Sequence, residues 1–193
     1  MGRVYLSRNL QYGFLLWNLF LAWIPYLFSL WVLRLHRDAP RRWWPLLVPA
    51  GLWLIFFPNA PYIITDLWHL SDRPPVPMWY DIGLLATFAW TGIFLAVNSL
   101  RAMHSVVRDY AGRIAGWLFA LSVIGMSGFG IYLGRFIGWN SWDLLFQPDD
   151  VLSDVLMRLR HPFSNAQTYG VTFLFAAFLL VCYLTMASSR QQE

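Results

Sequence analysis

The chain of 193 residues is 58% hydrophobic and 19% aromatic, only 12% of its residues are charged, and its mean hydropathy is +0.47. This composition excludes a soluble enzyme, a secreted domain and a nucleic-acid-binding protein, because too few polar residues remain to cover a surface in water. The net charge of +4 rests on 14 basic residues, all of them arginine, which fall in short clusters between apolar runs, as is typical of loops that set membrane orientation.

A bilayer core about 30 Å thick requires roughly 20 apolar residues of helix. We therefore predict an all-α bundle that forms one domain in the membrane, with about five transmembrane helices at residues 11–33, 43–64, 79–100, 114–136 and 168–186. The first segment is too long for a signal-peptide core and is expected to remain as a span. The second is expected to be kinked and then interrupted, because it contains the prolines Pro45, Pro49, Pro58 and Pro61.

The second span ends in an apolar run that breaks at two prolines and then carries ionisable groups. Lipid cannot hydrogen-bond a freed backbone, so such a break persists only beside protein or a water-filled cavity. Pro58 cannot continue a helix, and Asn59 is expected to cap a new one. The new helix places Asp66 and His69 on one face, with Thr65 four residues before His69.

This spacing is compatible with a proton relay, a divalent-ion site or a phosphate-directed site, although two ligands are too few to assign a metal. The alternative is a structural break in which Asp66 pairs with an arginine and His69 lies at the interface. Asp81 lies just inside the third span, where a carboxylate needs water or a partner. It is either a site residue or a charge that favours the positive end of the helix dipole, an effect of about 0.3 to 1 kcal/mol.

The fourth span closes with a polar block in which Gly130, Gly134 and Gly138 recur every four residues. On a helix this spacing forms a stripe without side chains, where another helix or a ligand can approach, and helix packing is the simpler explanation. Arg135 lies beside the stripe. It is able to bind a phosphate or carboxylate group, or to neutralise one of three carboxylates, Asp66, Asp81 or Asp143.

In the fourth loop we predict an amphipathic interfacial helix over residues 150–160, capped by Asp149 or Asp150. Its opposite face includes Asp154 and Arg158, which are spaced to pair. The helix is expected to lie flat on the membrane surface or to cover a cavity. The residues that share its apolar face are Val151, Leu152, Val155, Leu156 and Leu159.

Arginines concentrate in the first and third loops, which predicts that the N-terminus lies outside, the C-terminus lies in the cytoplasm and both polar blocks face outward. The single cysteine, Cys182, excludes a disulfide framework or a multi-cysteine metal site within one chain. The sequence identifies no cofactor.

Taken together, these motifs resemble a bacterial membrane-protein family that is catalogued as domain of unknown function 1361. The resemblance extends from about Trp17 to the last span. It implies a multi-pass protein of the bacterial inner membrane, and it implies no activity, substrate or catalytic residue. The matching runs are Phe57-Pro58-Asn59-Ala60-Pro61-Tyr62-Ile63-Ile64-Thr65-Asp66-Leu67, Trp79-Tyr80-Asp81, Gly128-Phe129-Gly130-Ile131-Tyr132-Leu133-Gly134-Arg135 and Trp139-Asn140-Ser141-Trp142-Asp143.

Our first functional hypothesis is an outward-facing polar site in a membrane enzyme that acts on a lipid or glycan head group. Asp66 or His69 would be the general base, Arg135 would hold the anionic group, and Asp143 or Asp81 would orient the base or bind a cation. Known hydrolase and phosphate-binding motifs are missing from the sequence. The candidate binding residues are Asn59, Tyr62, Thr65, Arg135, Asn140 and Trp142.

The alternative is a transporter or an accessory subunit of a membrane complex. In that case the broken helix binds a solute or ion, and the glycine stripe forms an interface in a homo-oligomer or with a membrane-protein partner. A third hypothesis is a scaffold whose polar blocks only satisfy one another.

Overall fold

The computed structural model describes residues 13–70, 77–161 and 165–188. These ranges are almost entirely helical and contain no strand, which confirms the predicted all-α class. The elements are α1 (Gly13–Asp38), a 3-10 turn (Trp44–Leu46), α2 (Leu47–Phe56), α3 (Asn59–Tyr62), a 3-10 helix (Ile63–His69), α4 (Met78–Tyr132), a π-helical turn (Leu133–Ile137), α5 (Asp143–Phe146), α6 (Pro148–Arg160) and α7 (Ala166–Ser188).

Among the described residues, four helical stretches are long and apolar enough to cross a membrane, which supports a multi-pass membrane protein. They include the five predicted segments, except that residues 11 and 12 of the first lie outside the described residues and residue 43 precedes the second stretch. The third stretch has 60 residues and combines two predicted spans. The four stretches are Gly13–Asp38, Trp44–His69, Met78–Ile137 and Ala166–Met186.

The long helix α4 folds back on itself at Gly112, whose φ of 86° and ψ of 174° are not helical. Glycine adopts this φ readily because it has no Cβ. The ring centroids of His104 and Trp117 lie 5.1 Å apart, whereas residues 13 positions apart on a straight helix are separated by about 20 Å. The arms 78–111 and 113–132 therefore pack side by side. If each arm crosses the membrane once, the bundle has the predicted five spans, and that count stays a prediction.

Helix α4 packs against α1, α7 and the broken second span, and the main apolar core lies between these elements. The core is closely filled with large side chains such as Trp53, Phe57 and Leu100. The outer faces of the spanning helices expose other large apolar side chains, including Trp23 and Leu27 of α1. This distribution is expected when lipid rather than water surrounds the bundle.

The first loop and the reversal of α4 at Gly112, where the sequence predicted a third loop, meet at one end of the bundle, which we call the arginine-rich end. His36 Nε2 lies 3.3 Å from Asp109 Oδ2, and the Tyr110 hydroxyl donates to the Arg42 carbonyl at 3.4 Å. The two most arginine-rich loops are therefore on the same side of the bundle.

The opposite end brings the start of α1 to the end of the second span and to the fourth loop. The rings of Phe14 and His69 lie 5.0 Å apart, and those of Trp17 and Trp142 lie 6.4 Å apart. We call this the polar end. Both polar blocks of the sequence lie here, and the side of the membrane that this end faces stays a prediction.

Candidate functional site

The second span loses its regular α-helical hydrogen bonding at Phe57 and Pro58, as the prolines predicted. The chain nevertheless keeps its direction, because Phe57 (φ −56°, ψ −40°) and Pro58 (φ −59°, ψ −23°) both have right-handed helical backbones. The predicted cap by Asn59 is wrong: Pro58 occupies the N-cap position, and the Asn59 amide donates to Ser141 Oγ at 2.8 Å. From Ile63 onward the chain tightens into a 3-10 helix, in which side chains three residues apart are aligned.

Arg135, in the π-helical turn after α4, connects this broken span to the end of the second arm of α4. Its guanidinium donates to the backbone carbonyl of Thr65, to the Tyr62 hydroxyl at 3.4 Å and to His69 Nδ1 at 3.1 Å. Its Nη1 also lies 3.7 Å from Asp66 Oδ1. A guanidinium has no acceptor, so His69 accepts at Nδ1, and a neutral imidazole then carries its proton on Nε2. Arg135 therefore provides a hydrogen-bond donor for a backbone carbonyl of the irregular segment and pairs with the buried carboxylate of Asp66.

Asp66 is buried, with 1% of its surface exposed. Its Oδ2 accepts a hydrogen bond from Asn18 Nδ2 of α1 at 2.8 Å, and its Oδ1 has no hydrogen-bond partner among the described residues. Of the three carboxylates considered as partners of Arg135, Asp66 is the one that the structure pairs with it. Sequence reasoning missed Asn18 as a site residue, although a single amide inside an apolar span is a recognisable signal.

The remaining candidates lie elsewhere at the polar end. Asp81 is buried in the first turn of α4, at the predicted position. Asp143 Oδ2 accepts from the backbone and side-chain nitrogens of Asn140, at 2.7 and 3.3 Å, and so closes the local turn that leads into α5. The Trp142 ring packs against α1, as described above. No group of three or more metal-binding side chains occurs among the described residues.

A cavity of about 150 Å³ lies at the polar end, between α1, the break in the second span, the end of α4 and the loop before α5. It is on the order of ten times the space that one water molecule needs. Its polar lining consists of Asn18, Asn59, Tyr62, Asn140 and Ser141, and its other lining residues are Trp17, Leu21, Ile55, Pro58, Gly130, Leu133, Gly134, Trp139, Leu144 and Val151.

Two members of the glycine stripe, Gly130 and Gly134, line this cavity and pack against the broken second span. A Cβ on Gly130 would lie 2.9 Å from the Pro58 ring, and a Cβ on Gly134 would lie 3.1 Å from the Tyr62 ring. Gly138 ends the helical turn with a φ of 94°, a conformation that favours glycine. These glycines thus let the second arm of α4 approach the broken second span, which agrees with the simpler explanation of helix packing.

The amphipathic helix predicted at 150–160 is α6, Pro148–Arg160. Its N-cap is Gln147, so the predicted cap by Asp149 or Asp150 is wrong, and both aspartates occupy the first turn, where the helix dipole favours them. Val151 is buried in the cavity wall. Much of the predicted apolar face points outward instead, because Leu152, Leu156 and Leu159 are exposed.

The polar face of α6 attaches it to the bundle. Asp154 pairs with Arg158 at 3.2 Å, as its spacing predicted, and accepts from Trp139 Nε1 at 2.7 Å. The Arg158 guanidinium lies 6.0 Å from the centre of the Tyr132 ring, and the Tyr169 hydroxyl donates to the Arg158 carbonyl at 3.2 Å. The hydrogen bond from Trp139, and after it the contact with Arg158, hold the pKa of Asp154 below its usual value.

Comparison with known proteins gives one match. The family model described as "Protein of unknown function (DUF1361)" matches residues 17–182, which include the broken span, the cavity wall and α6. No curated protein and no solved structure matches the chain.

Proposed function

This chain belongs to the DUF1361 family, and we propose that it binds a hydroxyl-rich head group, of a lipid or a glycan, in the cavity at its polar end. The cavity wall is the observation that supports this role. Amide and hydroxyl groups of Asn18, Asn59 and Ser141 stand beside the aromatic rings of Trp17 and Trp139, and no charged side chain lines the cavity in the described residues. Amides both donate and accept hydrogen bonds, and aromatic rings offer flat surfaces to the C–H faces of a sugar.

Asp66 and Arg135 act as positioning residues in this proposal, because they stand behind the wall. Arg135 donates to the Tyr62 hydroxyl, and Asp66 accepts from the Asn18 amide. Both partners line the cavity, so the ion pair fixes two of its hydrogen-bonding groups. A loss of the pair should therefore weaken binding without removing any direct contact to the ligand.

The catalytic roles of Asp66, His69, Asp81 and Asp143 remain predictions, and the proposed binding does not require any of the four to act in catalysis. For His69 to act as a base through Nδ1, Arg135 would first have to release that nitrogen. The transporter alternative has less support, because apolar core packs directly behind the cavity. The rings of Trp53 and Phe57, just before the cavity-lining Pro58, are buried in this core and lie 4.9 Å apart.

We propose further that the polar end faces the outside of the cell. Arginines near span ends tend to remain in the cytoplasm, and six of them are exposed at the opposite end, Arg34, Arg37, Arg41, Arg42, Arg108 and Arg113. Thiol labelling of intact cells tests this orientation in a Cys182→Ser background. A cysteine in Asn140→Cys should react with an impermeant reagent and one in Asp38→Cys should not, and the reverse pattern would place the cavity in the cytoplasm.

The binding role is tested with the purified full chain in detergent micelles, using methyl glucoside as a neutral probe and glycerol phosphate as an anionic one. Saturation-transfer NMR should detect binding of methyl glucoside to the protein. Asn140→Trp, which places a large ring at an exposed lining position, should weaken this binding by about fivefold or more, equivalent to roughly 1 kcal/mol.

Gln167→Trp is the matched control, since Gln167 is also exposed but lies on α7 and does not line the cavity. It should bind like the unaltered protein. Equal binding by the two tryptophan variants, or binding of glycerol phosphate alone, would contradict the proposal.

A further inference from the structure

We infer that the head group belongs to a membrane lipid, which enters the cavity sideways from the bilayer between the start of α1 and α5. This inference rests on the proposed function and narrows its ligand from any hydroxyl-rich head group to an amphiphile. Three features of the cavity rim and its surroundings support it.

The first feature is the rim itself. Trp17 and Leu144 both line the cavity, yet 53% and 46% of their surfaces are exposed, so the cavity opens where they stand. On another side the rim is formed by Asn140, which is exposed and polar. A rim that is apolar on one side and polar on the other suits a ligand with an apolar chain and a polar head.

The second feature is the surface that leads away from the rim. Trp17 lies about 6 Å along α1 from Gly13, at the border between the buried and exposed faces of this spanning helix. Its ring lies 5.5 Å from the ring of Phe20, which is exposed. A stripe of exposed apolar side chains continues from there along α1, formed by Leu16, Phe20, Trp23, Leu27 and Trp31. An acyl chain leaving the cavity beside Trp17 therefore meets the lipid-facing surface of the bundle.

The third feature is the segment next to the cavity, α5 and α6. Val151 points into the cavity wall, whereas the outer surface of this segment exposes Leu145, Phe146, Leu152, Leu156 and Leu159. An amphipathic helix with such an outer surface lies in the membrane interface, with its apolar side chains among the acyl chains. The cavity is thus bordered by lipid on the side of α1 and on the side of α5 and α6. A lipid can reach it without leaving the bilayer.

Photo-crosslinking of the full chain in native membranes tests this route. A p-benzoylphenylalanine in place of Leu144 lies at the rim, and the same group in place of Leu174 is the control, since Leu174 is 65% exposed on α7 and does not line the cavity. Captured lipids are released and identified by mass spectrometry. The Leu144 position should capture lipids with hydroxyl-rich head groups, enriched by about tenfold over the Leu174 position, and Asn140→Trp should remove this enrichment. Should the Leu144 variant fail to fold, the same probe in place of Phe20, whose ring lies 5.5 Å from that of Trp17 at the rim, should show the same enrichment over Leu174.

Identical lipid distributions at the rim and control positions would overturn the inference, as would capture of protein rather than lipid at the rim. Binding of methyl glucoside in micelles distinguishes a failure of the lipid route from a failure of the proposed function. If that binding persists while the lipid distributions are identical, the cavity binds head groups from water and only the lipid route is wrong. If neither is observed, the proposed function is wrong as well.

Discussion

Two buried polar clusters in this protein differ in their charge and in their surroundings. The cluster at the polar end contains a carboxylate and a guanidinium, Asp66 and Arg135, and it adjoins a cavity. The other lies in the core toward the arginine-rich end, where His104 and Tyr183 are hydrogen-bonded and the Trp117 ring packs 5.1 and 6.0 Å from their rings.

The second cluster is neutral and closely packed. The nearby Trp53 indole likewise donates to the Ser99 hydroxyl, which in turn donates to the Pro25 carbonyl at 3.4 Å. Such pairs join helices within the apolar core. The first cluster leaves Asp66 Oδ1 without a hydrogen bond and places its partners in a cavity wall. The comparison teaches that burial of polar groups does not by itself indicate a site, and it is the buried charge beside a cavity that leads us to propose one at the polar end.

The largest expected effect comes from breaking the charged pair. Arg135→Gln leaves the Asp66 carboxylate buried without its counter-charge, and we expect a loss of about 3 to 5 kcal/mol in the free energy of unfolding. The double variant Asp66→Asn with Arg135→Gln should recover part of this loss, because no unpaired charge remains. Unfolding in a dodecyl sulphate titration measures both. Losses that simply add would show that the pair is not coupled.

The next effect tests whether packing, in addition to charge, holds the break in place. A Cβ on Gly92 of α4 would lie 2.5 Å from the Ala60 carbonyl oxygen, so Gly92→Ala forces the backbones apart and should destabilise the protein by about 1 to 3 kcal/mol. Gly83→Ala on the same helix meets nothing within 4 Å and should be neutral or stabilising. Equal thermal midpoints for the two variants would show that this close approach is unimportant.

A smaller effect is expected in the neutral cluster. Tyr183→Phe removes the hydroxyl that is bonded to His104 Nδ1 and should cost about 1 to 2 kcal/mol of stability. Binding of methyl glucoside should stay unchanged, in contrast to Arg135→Gln. If Tyr183→Phe weakened ligand binding as much as Arg135→Gln does, the conclusion that only the cluster at the polar end supports the cavity would be wrong.

The smallest effect is the pH dependence of the attachment of α6. The pKa of Asp154 is lowered in the folded protein, so its contribution to stability is present above the unfolded value and is lost as the pH falls below about 4. Asp154→Asn should therefore lower the thermal midpoint slightly at pH 6 and by less at pH 3. A difference of the same size at both values would mean that the charge of Asp154 does not contribute.

Much of the fold could be predicted from the sequence, because the length of an apolar run and the position of a proline are local features that determine where a helix spans or breaks. The spans and the interruption at Pro58 depend only on such features. The pairing of Asp66 with Arg135 was one of three options, since the choice depends on how distant helices pack. The bonding of Asn18 to Asp66 was missed for the same reason.

The orientation of α6 could not be predicted from its pattern alone. In a water-soluble protein the apolar face of an amphipathic helix turns toward the core, but beside a membrane it can turn toward lipid. Here Leu152 and Leu156 point outward, while the polar side chains of Asp154 and Arg158 hold the helix to the bundle. The pairing of Asp154 with Arg158 was predicted correctly, whereas the predicted apolar face is divided, because Val151 packs inward on the same side as Asp154 and Arg158.

After the reversal at Gly112, the second arm of α4 is a continuous helix that leads to the cavity wall. One residue inserted within the helical second arm, between Gly112 and Gly130, would turn the part of the arm beyond it by about 100° about its axis. Arg135 would then swing away from Asp66, and Gly130 would no longer face Pro58. The count of residues between this turn and the cavity therefore sets the alignment of the cavity wall.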